Sequence, residues 1–98
     1  MAAYLIADIV IGDPDAYAEY RKRVLVTVEA HGGRFLARGG STRTLEGDWA
    51  PQRLVIIEFP STADLTRWYD SPEYRPLIEL RKRASTGSLL AVEGVAPT

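Results

Sequence analysis

Asp8, Arg38 and Glu58 are the charged residues whose setting suggests chemistry, because each falls in a different strand-forming run. Alternation along those runs places all three on one sheet surface. Burial raises a carboxyl pKa and a neighbouring cation lowers it, so two acids sharing one guanidinium titrate apart. Such a set supplies a general base and a fixed counter-charge, with Arg38 orienting an anionic or carbonyl oxygen. The same three residues also fit a structural ion network buried at an interface. His31, the single histidine, is a candidate acid or base because its ordinary pKa lies near neutrality. Its position before Gly32-Gly33 equally fits a helix C-terminal cap. Tyr20, Trp68 and Tyr74 are the expected walls of a pocket for a small organic ligand, apolar bodies with polar tips. Aromatics at helical spacing are also common core residues.

The elements that must position these residues follow from local pattern. Tyr4 to Ile11 is an almost continuous β-branched run and predicts a central strand. Asp13-Pro14 supplies an N-cap and a first-turn proline, and Tyr17, Tyr20, Val24 and Val28 recur at helical spacing, so a helix is expected over 14–31, with Gly32 as its left-handed C-terminal residue. Residues 34–38 alternate as a strand, Gly39-Gly40 predicts a bulge or bend, and 42–46 alternate again. Together they predict a hairpin over Gly39–Pro51 that reaches across to a partner. Residues 53–59 form a further strand. Ser61-Thr62-Ala63-Asp64 opens a helix, Ser71-Pro72 interrupts it before a second helical stretch, Thr86-Gly87 breaks that, and 88–93 form the last strand.

The order β-α-β-β-α-β predicts an α+β, ferredoxin-like sandwich as one domain over residues 1–98, with strand order 4-1-3-2 and the helices on one face. Leu5, Ala7, Ile9, Phe35, Ala37, Val55, Ile57, Phe59, Leu90 and Val92 are expected beneath the helices. Ile6, Val10, Leu36, Leu54, Ile56, Leu89 and Ala91 are expected on the other face, beside Asp8, Arg38 and Glu58. A sheet half open to water is polar on its outer face, and this one is not. Another copy of the chain is the expected cover, giving a homodimer packed through its sheet faces.

Composition narrows the function classes. Twelve basic and thirteen acidic residues leave a net charge of −1, which argues against nucleic-acid binding by bulk charge. No cysteine removes disulfides and thiolate chemistry, and one histidine with scattered carboxylates lacks metal-ligand spacing, so no metal or cofactor is expected. The glycine pairs lack phosphate-loop spacing, and the basic triplets at 21–23 and 81–83 fit solvated helix faces. With no membrane span or signal peptide expected, the cytoplasm is the default location.

Several segments also carry a family likeness: His31-Gly32-Gly33-Arg34-Phe35-Leu36-Ala37-Arg38-Gly39-Gly40, Leu45-Glu46-Gly47, Glu58-Phe59-Pro60-Ser61, Trp68-Tyr69, Ser71-Pro72-Glu73-Tyr74 and Val92-Glu93-Gly94. In order and over essentially the whole chain they resemble the family called domain of unknown function 1330. The resemblance implies a dimeric α/β-barrel, two ferredoxin-like subunits packed sheet to sheet. The wider superfamily includes cofactor-independent monooxygenases, lactone isomerases, haem peroxidases and regulatory ligand-binding domains, so the resemblance brings no single reaction. The expected function is a cofactor-independent enzyme acting on a small organic molecule, monooxygenase- or isomerase-like. The alternative is a non-catalytic ligand-binding or structural dimer module.

Overall fold

The computed structural model describes residues 1–96. Its elements are β1 (Ala3–Ile11), α1 (Pro14–Ala30), β2 (Arg34–Arg38), β3 (Arg53–Phe59), α2 (Thr62–Tyr69), α3 (Arg75–Ala84) and β4 (Ser85–Glu93). The strands form one antiparallel sheet in the order β2-β3-β1-β4, the ferredoxin-like order expected from the sequence. All three helices pack on one face. The slab measures 41 × 39 × 16 Å, two layers thick.

Local chemistry accounts for the element ends. Asp13 accepts a hydrogen bond from the Ala16 amide at the start of α1. At its end, the Gly33 and Gly32 amides donate to the Val28 and Glu29 carbonyls, with Gly32 at φ +79°, the Schellman closure. Ser61 caps α2 by accepting from the Asp64 amide while its hydroxyl donates to the Asp64 carboxylate. Alternation on β1 and β3 buries Ala3, Leu5, Ala7, Ile9, Val55, Ile57 and Phe59 against Val28, Leu65, Trp68, Tyr74 and Leu77.

Three expectations are corrected. First, β4 begins at Ser85 directly after α3, with no break at Thr86-Gly87. The Gly12 and Asp13 amides cap the terminal Ala84 carbonyl, so the chain turns without a loop. Gly87 lies inside the strand at φ +139°, where a Cβ would collide with the Asp8 carbonyl oxygen. That register sets Leu89 and Ala91 opposite Ala7 and Leu5, on the helix side, and Leu90 opposite Ile6 on the outer face, the reverse of the expected parity. Four apolar residues in a row carry no alternation from which parity can be read. Second, residues 39–52 form no hairpin: the segment is irregular, and Trp49 folds back onto its own sheet, donating from its indole nitrogen to Asp8 at 2.8 Å. Third, the chain bends at Gly39, at φ +78°, as expected, but the bulge lies inside β2 rather than at the glycine pair. Phe35 opposes Ile57, but Ala37 opposes Ile56 and Arg38 opposes Val55, so Leu36 is the extra residue. Beyond it the faces exchange: Ala37 turns outward and Arg38 turns beneath the helices.

Candidate functional site

The bulge dissolves the expected Asp8–Arg38–Glu58 constellation. Asp8 and Glu58 stay on the outer face, two strands carrying one each, but Arg38 lies on the other side of the sheet. Glu58 is paired instead with Arg34, its cross-strand neighbour, at 2.8 Å. Asp8 accepts from Trp49. His31 is the C-cap of α1, with its imidazole Nε2 3.7 Å from a Glu73 carboxylate oxygen. Trp68 and Tyr74 are fully buried and stacked with ring centroids 4.0 Å apart, so they are core, not pocket walls. The Trp68 indole nitrogen donates to the Thr27 hydroxyl at 3.0 Å.

Tyr20 alone of the expected residues joins Arg38 at a cleft, and that cleft lies beneath the helices, not inside the sheet-to-sheet interior. Its floor is Leu5, Ala7, Ile9, Val55 and Ile57 from the sheet, and its roof is Tyr17, Tyr20 and Val24 from α1. Phe35, Leu89 and four arginines, Arg21, Arg38, Arg53 and Arg81, complete it. No carboxylate lines it. None of these four guanidinium groups makes an ion pair among the described residues. An unpaired charge beside apolar surface is unfavourable, and several of one sign more so. Accordingly, burial and then the repulsion of Arg21 and Arg53 hold the Arg38 guanidinium below its usual pKa.

Each arginine is held by other means. Arg38 stacks 4.1 Å over the Phe35 ring and donates to the Arg21 carbonyl oxygen at 2.6 Å. Arg53 lies over the Tyr17 ring, donates to the Tyr17 hydroxyl at 3.3 Å, and passes where any Cβ on Gly39 would stand. Arg81, although buried, donates at 2.7 Å to the Tyr74 hydroxyl, which lies 2.8 Å from that of Tyr20. The free volume is ≈ 30 Å³, room for one or two waters in this arrangement. Arg21 and Arg38 also border an open groove on the outside of α1, so Arg38 stands between the cleft and that groove. Sequence reasoning missed Arg21, Arg53 and Arg81. Arg53 opens a strand at an apolar-facing position, a signal that alternation could have supplied; Arg21 and Arg81 each sit within a basic triplet that looks like a solvated face.

A four-stranded antiparallel sheet with its helices on one face is the ferredoxin-like fold of the dimeric α/β-barrel proteins. Within that class, residues 2–95 match the model of the family described as domain of unknown function (DUF1330), and the chain belongs to this family. RPA0582, a protein of unknown function from Rhodopseudomonas palustris, is similar in structure, with a TM-score of 0.73 at 23% identity over 98% of this chain and 84% of that one. SnoaB, a cofactor-independent oxygenase from Streptomyces nogalater, gives a TM-score of 0.66 at 11% identity, covering 98% of this chain and 95% of the other. A proposed antibiotic biosynthesis monooxygenase from Caulobacter crescentus gives 0.60 at 13% identity, covering 97% and 91%. These likenesses concern the fold. No curated protein matches the chain. No helix among the described residues is long and apolar enough to cross a membrane.

Proposed function

We propose that this protein binds a small phenol or enolisable ketone in the cleft beneath α1 and stabilises its deprotonated, anionic form. The observation that carries this reading is an apolar cleft bordered by four arginines without a carboxylate. A phenolate or enolate supplies the missing negative charge, and the apolar floor takes its carbon skeleton. Stabilising such an anion is the step common to cofactor-free reaction with dioxygen and to proton-shift isomerisation. SnoaB, a cofactor-independent oxygenase of the same fold, supports the class of chemistry by analogy only. Arg38 is the movable part: its one hydrogen bond is to a backbone carbonyl, so a ligand that draws the guanidinium onto itself also opens the cleft. Asp8, Glu58 and His31, away from the cleft, have no part in this reading.

The test is the absorbance of 4-nitrophenol, whose phenolate absorbs in the visible. Bound by the protein, it should ionise at lower pH than when free, and Arg38→Ala and Arg53→Ala should each weaken phenolate binding about five- to fiftyfold. A phenol that ionises no more readily with the protein than without it rejects the reading. The small free volume favours a second reading, a structural dimer subunit, which predicts no binding at all. In either case we infer that the outer sheet face is covered by a second copy of the chain.

A further inference from the structure

Tyr20, Tyr74 and Arg81 form a hydrogen-bonded row running from α3 to the cleft. An arginine can only donate, so the Tyr74 oxygen accepts from Arg81. Tyr74 then has one proton to give. It is fully buried, and the one acceptor its hydroxyl has among the described residues is Tyr20. Were Tyr20 to donate instead, the Tyr74 proton would be buried without a partner, which is costly. Tyr20 is itself only 8% exposed, but it lines the cleft, whose free volume can hold a water to meet its proton, so the less costly direction is Arg81 to Tyr74 to Tyr20. That leaves the Tyr20 proton uncommitted on a side chain that lines the cleft. Each acceptance polarises the next hydroxyl, so the last donor in such a row is a stronger one than an isolated phenol. Burial, the largest influence on it, keeps Tyr20 above its ordinary pKa, so it holds that proton at neutral pH.

We propose that the Tyr20 hydroxyl is the hydrogen-bond donor to the charged oxygen of the bound anion, with Tyr74 and Arg81 as positioning residues that aim and strengthen it. This rests on the anion-binding reading above. It adds that the recognised group is a single basic oxygen, as in a phenolate or enolate, rather than diffuse negative charge.

The test uses the full-length protein, a series of ring-substituted 4-nitrophenolates of graded basicity, and nitrobenzene as a neutral probe of the same shape. In the wild type, affinity should rise with phenolate basicity. Tyr20→Phe should lose about ten- to hundredfold in phenolate affinity and most of that dependence, with nitrobenzene binding unchanged. Tyr74→Phe should lose less, and flatten the dependence partway. As a check independent of any deletion, 3-fluorotyrosine at position 20 should shift its fluorine resonance with phenolate and not with nitrobenzene. Wild-type protein that prefers no phenolate over nitrobenzene overturns both readings. Wild-type preference retained in Tyr20→Phe, or a fluorine resonance indifferent to phenolate, overturns this inference alone.

Discussion

Arg38 and Arg53 lie close enough to repel one another and have no acid to offset the repulsion. Removing either should therefore leave the fold as stable as before, or more so, while weakening anion binding. Arg38→Ala should keep or raise the midpoint of urea unfolding; a clear drop would show that its bond to the Arg21 carbonyl and its stacking on Phe35 outweigh the repulsion. The buried phenols make a separate prediction. Burial, and after it Tyr74, raise the pKa of Tyr20 above its ordinary value near 10. A folded-state pKa above the unfolded one means that the native state holds the proton more tightly. This contribution to stability is complete below about pH 10 and is lost as pH rises beyond it. Urea midpoints measured upward from about pH 9 should fall, and fall less steeply in Tyr20→Phe. Equal slopes in the two proteins would place the alkaline sensitivity elsewhere. Arg38 as a contact to an anionic oxygen is legible in the sequence, but the phenol row is not: Tyr20 is expected there only as a wall, and its partners lie 54 and 61 residues away in the chain.

At the scale of elements, β2 and β4 govern which residues reach the cleft. The extra residue in β2 has a simple consequence: deleting Leu36 leaves Ala37 opposite Ile56 and Arg38 opposite Val55 in an unbroken ladder. The deletion should fold and retain wild-type phenolate binding. An unbulged β2 predicts the opposite, since removing one residue would then carry Arg38 to the other face. In β4, Gly87→Ala meets both a positive φ and the Asp8 carbonyl, and should cost roughly 2–4 kcal/mol in denaturant unfolding. Gly40→Ala, in open space, should change stability by less than about 0.5 kcal/mol. Strand and helix existence was readable for all seven elements because capping residues and alternation are local. The predicted strand at 42–46 alternates just as well, yet it has no partner to pair with. Alternation describes what a strand would bury, not whether a neighbour is there to receive it.

The whole molecule is a two-layer slab whose outer sheet face carries Ile6, Leu54, Ile56 and Leu90 beside Asp8 and Glu58, with Leu90 61% exposed. A face of this composition is unfavourable in water, and a second copy packing on it is the economical cover. Light scattering after size exclusion at low micromolar concentration should therefore give twice the chain mass, and Leu90→Asp should shift it to the monomer. A wild-type monomer under those conditions would overturn the dimer reading. What the sequence determined unaided was the order of elements, their caps, the helix-facing set on β1 and β3 and the apolar character of the outer face, because each depends on residues adjacent in the chain or one turn apart. What only the tertiary structure decided was the side of the sheet on which Arg38 and β4 face, and hence the place of the cleft. A bulge and a strand register are properties of pairs of strands. A one-residue shift exchanges every side chain beyond it between faces.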